Sequence, residues 1–554
     1  MSGALLLGAL GLVGCGVTDN EVEDPQDETV EVSEDNETDA TDTSSGVEAQ
    51  YTTSINQELI DKHDNRYEEI ISDFQNGDYT LEEPLIVQDP YGRSPLSALV
   101  LFETEEPMEV TVTVEGQDEQ TTISNTYPGF KTEHEIPVLG LYPDLDNQVV
   151  FTAESENDVV NEINLTMSTE PALENLLDFT LEVSQPDKMH DGLTFVSPSR
   201  DSYPAAVDSN GDVRWYSSMM TSHNFKRLEN GNNVMVTLEE GHETYDHLNE
   251  EDMLGRVHQS IEMDMENVHV PSAFHHDTII LPNDNYLTLL HDGSGDYIED
   301  EIVELDRETG EVVHRINLKD VFPNEVYEEY EGNGEEEGDW AHVNTVTKLE
   351  DEDAILLSAR NQDMTIKLTY PEAEIDWILT PPEDHHEEIE GYVLESIDED
   401  LKYPAGQHAV EEMPDQDGNE ETLDIMLFDN NRVFARGDED LNEEYSRAVQ
   451  YRINQEDYTV EEIWSYGEER GTELYSNIVS DADYLPESEN VLSNFGRAPH
   501  EESGGYHSVI TEVTKTEDPE VVYELHYGPF AVDGIDAYVQ MYRAERYPLY
   551  PQTN

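Results

Sequence analysis

The spacing of apolar residues divides the chain into segments with different periods. Between Tyr51 and Gly77, apolar residues recur at close to helical spacing: Ile55, Leu59, Ile60, Tyr67, Ile70, Ile71 and Phe74. Recurrence every three to four residues gives a helix one apolar face. The pattern therefore predicts a short helical segment within residues 51–80.

From about Leu81 the period changes to two. Three runs alternate apolar and polar residues and are separated by polar turns: Ala98–Phe102, Glu109–Val114 and Val149–Ala153. Such alternation is typical of strands that bury one face. We predict an N-terminal β-sandwich domain over residues 81–180.

Beyond residue 181 a strand-and-turn unit recurs loosely. Each copy begins with a polar or histidine-bearing position, has an apolar residue five positions later, and ends in a turn rich in Asn, Asp and Glu. The copies begin at His223, His276, Asn344 and His408, with a degenerate fifth copy from Ser480. Repeated β units that need neighbours to bury their faces predict a β-propeller over residues 181–554, and an all-β protein.

The repeat alignment gives these polar side chains a shared place. In a propeller the inner strand of each blade begins at the central channel, so His223, His276, Asn344 and His408 are expected to converge there. Strand alternation puts His342 on the same face as Asn344, and Arg360 ends the same blade. Several such side chains at equivalent positions favour a functional site over isolated structural histidines.

The charge of the chain is very unequal. Asp and Glu number 129 against 26 Lys and Arg, for a formal net charge of -103. The acids are spread along the whole chain, and salt screens their repulsion, so we interpret them as adaptation to a saline habitat and not as a cation site. The absence of a basic patch in the sequence excludes nucleic acid as a partner.

The sole cysteine, Cys15, follows an apolar run from Gly3 to Gly14. The run is too short to span a bilayer but suits a signal peptide, and Leu12–Cys15 resembles a lipobox, whose cysteine accepts a lipid. We expect a signal peptide over residues 1–15 and an exported lipoprotein, periplasmic or at the cell surface; the alternative is a cleaved signal with an incidental cysteine. Residues 16–50, rich in acids, Ser and Thr, are expected to form a disordered tether.

Several stretches together resemble the bacterial aryl-sulfate sulfotransferase family. They are Asp89–Leu99 and His134–Asp144 in the predicted sandwich, then Phe274–Asp277, Asp339–Asn344 with Ser358–Arg360, and Gln407–Ala409 with Leu427–Asn430. The resemblance implies a six-bladed propeller behind a β-sandwich. It also implies transfer of a sulfuryl group from a phenolic sulfate ester to a phenol, without a nucleotide donor or a cofactor. The family includes oligomers, so self-association is a further expectation.

The same resemblance implies roles for individual residues. His408 matches the histidine that is transiently sulfurylated. The sulfate-binding and acid–base partners match His342, Asn344, Arg360 and one of His275 and His276. The face argument favours His276 in the site. A lysine that the family has late in the propeller finds no match, and Arg497 is the candidate substrate-binding replacement.

Two other functions fit some of these residues. Zinc or copper takes imidazole ligands, so a metal-dependent hydrolase could use His275, His276, Asp277, His342 and His408. Arg360 beside a cation would be unfavourable, and thiolate ligands are absent from these motifs. A non-catalytic binding propeller at the cell surface is the other alternative. We favour sulfuryl transfer, because neutral imidazole is a good nucleophile and arginine presents a planar fork to sulfuryl oxygens.

Overall fold

The computed structural model of the protein describes residues 51–551 with gaps. The positions outside the description are 1–50, 158, 174–175, 177, 200–201, 229, 266–271, 292–296, 299, 329–337, 382–384, 399, 436–443, 501–502, 531–539 and 552–554. The predicted signal peptide, Cys15 and the tether therefore lie outside the described residues. Within the described residues no helix is both long and apolar enough to cross a bilayer.

The first described elements are a strand, β1 (Tyr51–Ile55), and a helix, α1 (Gln57–Gln75). The sequence pattern predicted the helix but not the strand before it. Asn56 begins the helix, because its side chain accepts a hydrogen bond from the backbone N–H of Leu59. On the apolar face of α1, Ile70 and Phe74 are buried in the core of the N-terminal domain.

One sheet forms the N-terminal β domain. Its strands are β2 (Leu85–Gln88), β3 (Ser97–Val114), β4 (Ile123–Leu139), β5 (Asp146–Ser155) and β6 (Val160–Ser168). The long strand β3 pairs with β4 along much of its length, with β2 through its first half and with β5 through its second. In the second half Val110, Val112 and Val114 are buried while the residues between them are partly exposed, as alternation predicts.

The described residues after the N-terminal domain form six further sheets, and the strand β7 (Phe179–Ser184) belongs to the last of them. Their strands are β8 (Leu193–Pro198), β9 (Ala205–Val207) and β10 (Val213–Tyr216); β11 (Thr221–Arg227), β12 (Asn233–Thr237), β13 (His247–Glu251) and β14 (Val257–Met265); β15 (Phe274–Ile280), β16 (Tyr286–Leu290), β17 (Glu301–Leu305) and β18 (Val312–Asn317); β19 (Val343–Lys348), β20 (Ala354–Ala359), β21 (Met364–Thr369) and β22 (Ile375–Leu379); β23 (Glu395–Ser396), β24 (His408–Glu412), β25 (Thr422–Asp429), β26 (Arg447–Asn454) and β27 (Thr459–Tyr466); and β28 (Asp481–Leu485), β29 (Asn490–His500), β30 (Gly505–Thr514) and β31 (Val521–Phe530). Two short helices, α2 (Leu318–Val321) and α3 (Asn324–Glu328), precede β19.

Strands distant in sequence complete three of these sheets. The last strand, β32 (Met541–Tyr547), pairs with β8, while β7 pairs with β31. The N-terminal strand β1 pairs with β14. Both ends of the described chain are therefore held by hydrogen bonds to other sheets.

The first strands of successive sheets contact one another. Hydrogen bonds run from Asn224 to Thr278, from Val346 to Asp277, from Thr347 to Val410 and from Tyr484 to Glu411. On β32, Arg543 bonds Asp277 at 3.0 Å and Glu545 contacts Lys226 at 2.9 Å. Arg543 Nε also lies 3.7 Å from Asp481 Oδ2 on β28, so these contacts join β11, β15, β19, β24, β28 and β32 in a closed series. The series brings the starts of β11, β15 and β24, and the residue before β19, toward one another.

A buried ion pair anchors the N-terminal domain to the sheet of β11–β14. Arg93 contacts Glu239 and Glu251, both at 2.6 Å, and the three side chains are 5%, 10% and 2% exposed respectively. We expect Arg93→Met to lower the free energy of unfolding by about 3–5 kcal/mol, because two carboxylates lose their buried cation. Denaturant unfolding at fixed salt concentration measures this change.

The control for this prediction is a surface ion pair. Lys188 contacts Glu520 at 2.6 Å, with side chains 47% and 51% exposed. Exposed pairs contribute little to stability, so Lys188→Met should leave the unfolding midpoint where it is. Equal shifts in the two variants would show that Arg93 is no more important than a surface residue.

Candidate active site

Four imidazoles and one phenol ring meet where the first strands of four sheets begin. The ring centroid of His276 lies 4.8 Å from the ring centroid of His223 and 4.8 Å from that of His342. Tyr542, on β32, lies 5.0 Å from His223, 5.7 Å from His276 and 6.3 Å from His408. We call His223, His276, His342 and His408 the imidazole cluster.

Unusual backbone conformations aim these rings. His223, His276 and His342 have positive φ angles of 47°, 55° and 48°, and on β24 the left-handed residue is Ala409, with φ 56°. The pairing of each strand with its neighbour shifts register near these positions. Bulges of this kind redirect side chains, and non-glycine residues at positive φ concentrate at functional sites. The strained backbone is therefore part of how the cluster forms.

Each imidazole of the cluster hydrogen-bonds through Nδ1 to a residue behind it. The partners are Asp339 Oδ2 for His342 at 2.6 Å, Asn430 Oδ1 for His408 at 2.7 Å, His275 Nδ1 for His276 at 2.8 Å and Ser222 Oγ for His223 at 3.2 Å. Because Nδ1 is engaged in every case, Nε2 is the nitrogen through which each ring can act on a ligand. These hydrogen bonds orient the rings.

Asn430 determines the tautomer of His408. Its amide Nδ2 donates to the carbonyl oxygens of Ser476 at 2.7 Å and Val479 at 2.9 Å, so Oδ1 is the atom that faces His408. An amide oxygen only accepts, so the Nδ1 of His408 carries the proton; Nδ1 also lies 3.1 Å from the Gly406 carbonyl oxygen. The neutral ring therefore has its lone pair on Nε2, as a nucleophile requires.

The surroundings of His408 keep the ring neutral. Burial lowers the pKa of His408 well below its ordinary value, and the positive charge of Arg360 lowers it further. The hydrogen bond to Asn430 acts in the opposite direction but does not outweigh these effects. At neutral pH the lone pair of His408 is thus available.

Arg360 is the buried cation beside the cluster. It opens a short 3-10 turn, Arg360–Gln362, directly after β20, and it is 6% exposed. Its Nε donates to Asn361 Oδ1 at 3.0 Å, and its Nη2 lies 3.9 Å from Asp339 Oδ2. The sequence predicted that Arg360 ends its blade. In the structure its planar guanidinium is a donor group near His342 and His408.

Asn344 connects β19 to the segment that carries His408. The side-chain Nδ2 of Asn344 donates to the backbone carbonyl oxygen of Gln407 at 2.8 Å. The backbone carbonyl oxygen of Asn344 accepts a hydrogen bond from the Tyr542 hydroxyl at 2.8 Å. Its amide thus ties β19 to the residue before His408.

His275 and His276 have different positions. The His276 ring packs in the cluster between His223 and His342. His275 lies behind it, and its other neighbour is His291, whose ring centroid is 5.0 Å away. The face argument that favoured His276 over His275 agrees with this placement.

Two further arginines, Arg497 and Arg432, add to the positive charge of Arg360. Of these two, only Arg497 was predicted from the sequence. The guanidinium carbon of Arg497 lies 3.8 Å from the Tyr506 ring centroid. Burial lowers the pKa of Arg497, and the nearby charge of Arg432 contributes. Arg360 and Arg432 both lie against the Phe434 ring, at 4.7 Å and 4.5 Å. In so acidic a chain these arginines create a local environment suited to an anion.

Metal-ligand spacing occurs elsewhere. Among the residues that the structure describes, the His and acidic side chains whose ligand atoms all come within 4.8 Å of one another are His242, Asp246 and His247. None of them belongs to the imidazole cluster or to the ligand set that the sequence suggested. The metal alternative at the cluster therefore gains no support from geometry.

Four contributors to the site were not predicted from the sequence: Asp339, Asn430, Arg432 and Tyr542. Asp339 and Asn430 lie inside the motifs named above, and the signal available for Asp339 was its place three residues before His342. Tyr542 follows no repeat unit and had no comparable signal. Its place in the cluster depends on the pairing of β32 with β8.

The fold and the site define an all-β protein with a buried imidazole and arginine site and an N-terminal Ig-like domain. Family models described as Arylsulfotransferase (ASST) and Arylsulfotransferase Ig-like domain match residues 180–532 and 85–170. The chain belongs to the arylsulfotransferase family.

Individual relatives agree with this assignment. The chain is similar to arylsulfate sulfotransferase AssT of Escherichia coli O6:H1, with 25% identity over 75% of this chain and 85% of the relative. The protein of the same name from Lelliottia amnigena is 24% identical, over 74% and 84%. A solved structure, a putative 6-phosphogluconolactonase from Bacteroides fragilis, shares 10% identity with a TM-score of 0.32 over 76% of this chain and 98% of that one.

Proposed function

We propose that the protein transfers a sulfuryl group from a phenolic sulfate ester to a phenol through a sulfurylated His408, in two half-reactions and without a nucleotide donor. The observation that carries this proposal is the buried, neutral imidazole of His408, whose tautomer leaves Nε2 nucleophilic beside Arg360. We also propose that the six sheets are the blades of one propeller, whose central channel holds the imidazole cluster.

Sulfuryl transfer makes demands that this site can meet. Like phosphoryl transfer, it is expected to pass through a loose, in-line transition state with charge on the equatorial oxygens. The guanidinium of Arg360 can donate two parallel hydrogen bonds to those oxygens. A second histidine, His276 or His342, protonates the departing phenolate and later deprotonates the incoming phenol. Arg432 and Arg497 lower the cost of bringing an anion into an acidic protein.

The proposed setting follows from the sequence beyond the described residues. The apolar run before Cys15 supports export and attachment through a lipid, periplasmic or at the cell surface. High salt would screen the net charge of -103 and ease the approach of a sulfate ester. Self-association is a further prediction from the family.

The proposed tautomer of His408 can be tested through its partner. Asn430→Asp should raise the pKa of His408, because a carboxylate beside Nδ1 stabilises the charged ring. The acid limb of the pH–rate profile should therefore move up by about one to three pH units. As a control, Asn431→Asp places the same charge one residue further along and should shift the limb less. Equal shifts would show that the bond from Asn430 is unimportant.

The proposed activity can be tested directly with the purified protein in high salt. It should move sulfate from a chromogenic aryl sulfate to phenol with no nucleotide added. Equal consumption of the ester without phenol would indicate a sulfatase instead. Loss of activity with a chelator and recovery with zinc would indicate a metal-dependent enzyme. Ligand binding without turnover would indicate a binding protein.

A further inference from the structure

The four Nδ1 partners of the imidazole cluster differ in charge. Asp339, behind His342, is an acid, whereas the partners of the other three rings are an amide, a hydroxyl and another imidazole. A carboxylate bonded to the Nδ1–H of an imidazole holds its tautomer and stabilises its protonated form. An imidazole such as His275 has no negative charge and therefore does this far less for His276. The two candidates for acid–base chemistry are therefore not equivalent.

We propose that Asp339 is a positioning residue that makes His342, and not His276, the acid–base group of the transfer. This inference rests on the proposed function. Asp339 is well placed for the task, since it is 4% exposed and its Oδ2 lies 2.6 Å from His342 Nδ1. The amide of Asn361 donates to the backbone carbonyl oxygen of Asp339 at 2.6 Å, which fixes the segment.

Asp339 also links the acid–base group to the cation of the site. Its Oδ2 lies 3.9 Å from Arg360 Nη2, in addition to its bond with His342. One buried acid thus orients the ring that moves the proton, and the same oxygen lies beside the group that binds sulfuryl oxygens.

In this proposal His342 loses a proton in the first half-reaction and regains one in the second. In the first half-reaction the bond from His408 Nε2 to sulfur forms while the bond from sulfur to the aryl oxygen breaks. The aryl oxygen leaves with the electron pair and takes the proton from Nε2 of protonated His342, which becomes neutral and keeps its Nδ1–H on Asp339. In the second half-reaction the acceptor phenol returns a proton to His342 Nε2 as its oxygen bonds to sulfur. In the same step the bond from nitrogen to sulfur breaks, and its electron pair returns to His408.

Two donors with different leaving groups separate this role from a merely structural one. Phenyl sulfate releases a basic phenolate that needs protonation, while 4-nitrophenyl sulfate releases a stable anion that needs it little. General acid catalysis contributes about 10²- to 10⁴-fold. Asp339→Asn should therefore lower kcat/KM for phenyl sulfate about tenfold or more beyond its effect on 4-nitrophenyl sulfate. Asp339→Glu should restore part of the difference, and His276→Gln should lower both values by a similar factor.

Each outcome either supports or contradicts the proposed role of Asp339. An equal loss on both esters in Asp339→Asn would overturn it, and so would a loss selective for phenyl sulfate in His276→Gln. If Asp339→Asn does not fold, His342→Gln provides the same comparison, with a selective loss expected and an equal loss contradicting the role. A wild-type protein that transfers no sulfate would refute the proposed function itself, and the inference with it. Wild-type transfer with equal losses would refute the inference alone.

Discussion

His408→Ala should abolish sulfuryl transfer. The imidazole is the proposed nucleophile, and the side chains around it serve its charge and orientation: Asn430 holds its tautomer, while Arg360 contributes to keeping it neutral. Without Nε2 no covalent intermediate forms, so kcat should fall by roughly 10⁴-fold or more. The fold should survive, because the side chain that replaces the ring is small and apolar and β24 keeps its pairing with β25.

The mass of the protein reports the intermediate. With an aryl sulfate and no acceptor, wild-type protein should gain the mass of one SO3 group, and His408→Ala should gain none. His385→Ala is a matched control, because His385 lies in a loop after β22 and its Nδ1 is 3.4 Å from the Pro381 carbonyl oxygen. This control should keep full activity and the adduct. An adduct that persists in His408→Ala would place the nucleophile elsewhere.

Arg360→Gln should give the second largest loss. The guanidinium is the proposed donor to sulfuryl oxygens, and removal of one donor to developing charge typically costs about 10²- to 10³-fold in kcat. Arg66→Gln is a suitable control, because Arg66 lies on α1 with its side chain 42% exposed. It should leave kcat unchanged.

The same substitution should change the pH dependence. Activity requires neutral His408, whose pKa lies well below the ordinary value, partly because of the charge of Arg360. Without that charge the pKa rises toward its ordinary value, so protonation begins to inhibit at a higher pH. The acid limb of the pH–rate profile should therefore move upward in Arg360→Gln and stay in place in Arg66→Gln. An unmoved limb would show that Arg360 does not act on His408 electrostatically.

The strands could be predicted from the sequence because burial of one face imposes a regular alternation of apolar and polar residues. Val110, Val112 and Val114 alternate with partly exposed residues, as a half-buried strand requires. The repeated polar starts placed His223, His276 and His408 near one another for a similar reason. Each opens the first strand of a sheet that can be buried only against its neighbours.

The details of the site were not accessible in the same way. Positive φ at His223, His276 and His342 has no pattern in the sequence, because it is imposed by the packing of neighbouring strands. Arg432 was missed for another reason: it follows β25 in a loop, where periodicity gives no information.

The pairing of β32 with β8 has a consequence for biosynthesis. Tyr542 and Arg543 belong to a strand that leaves the ribosome some three hundred and fifty residues after its partner β8. A nascent chain that already contains His408 still lacks the Tyr542 ring beside it and the cation that bonds Asp277. The site is thus assembled only after β32 has been translated, and a polypeptide truncated before β32 would be released without a finished site.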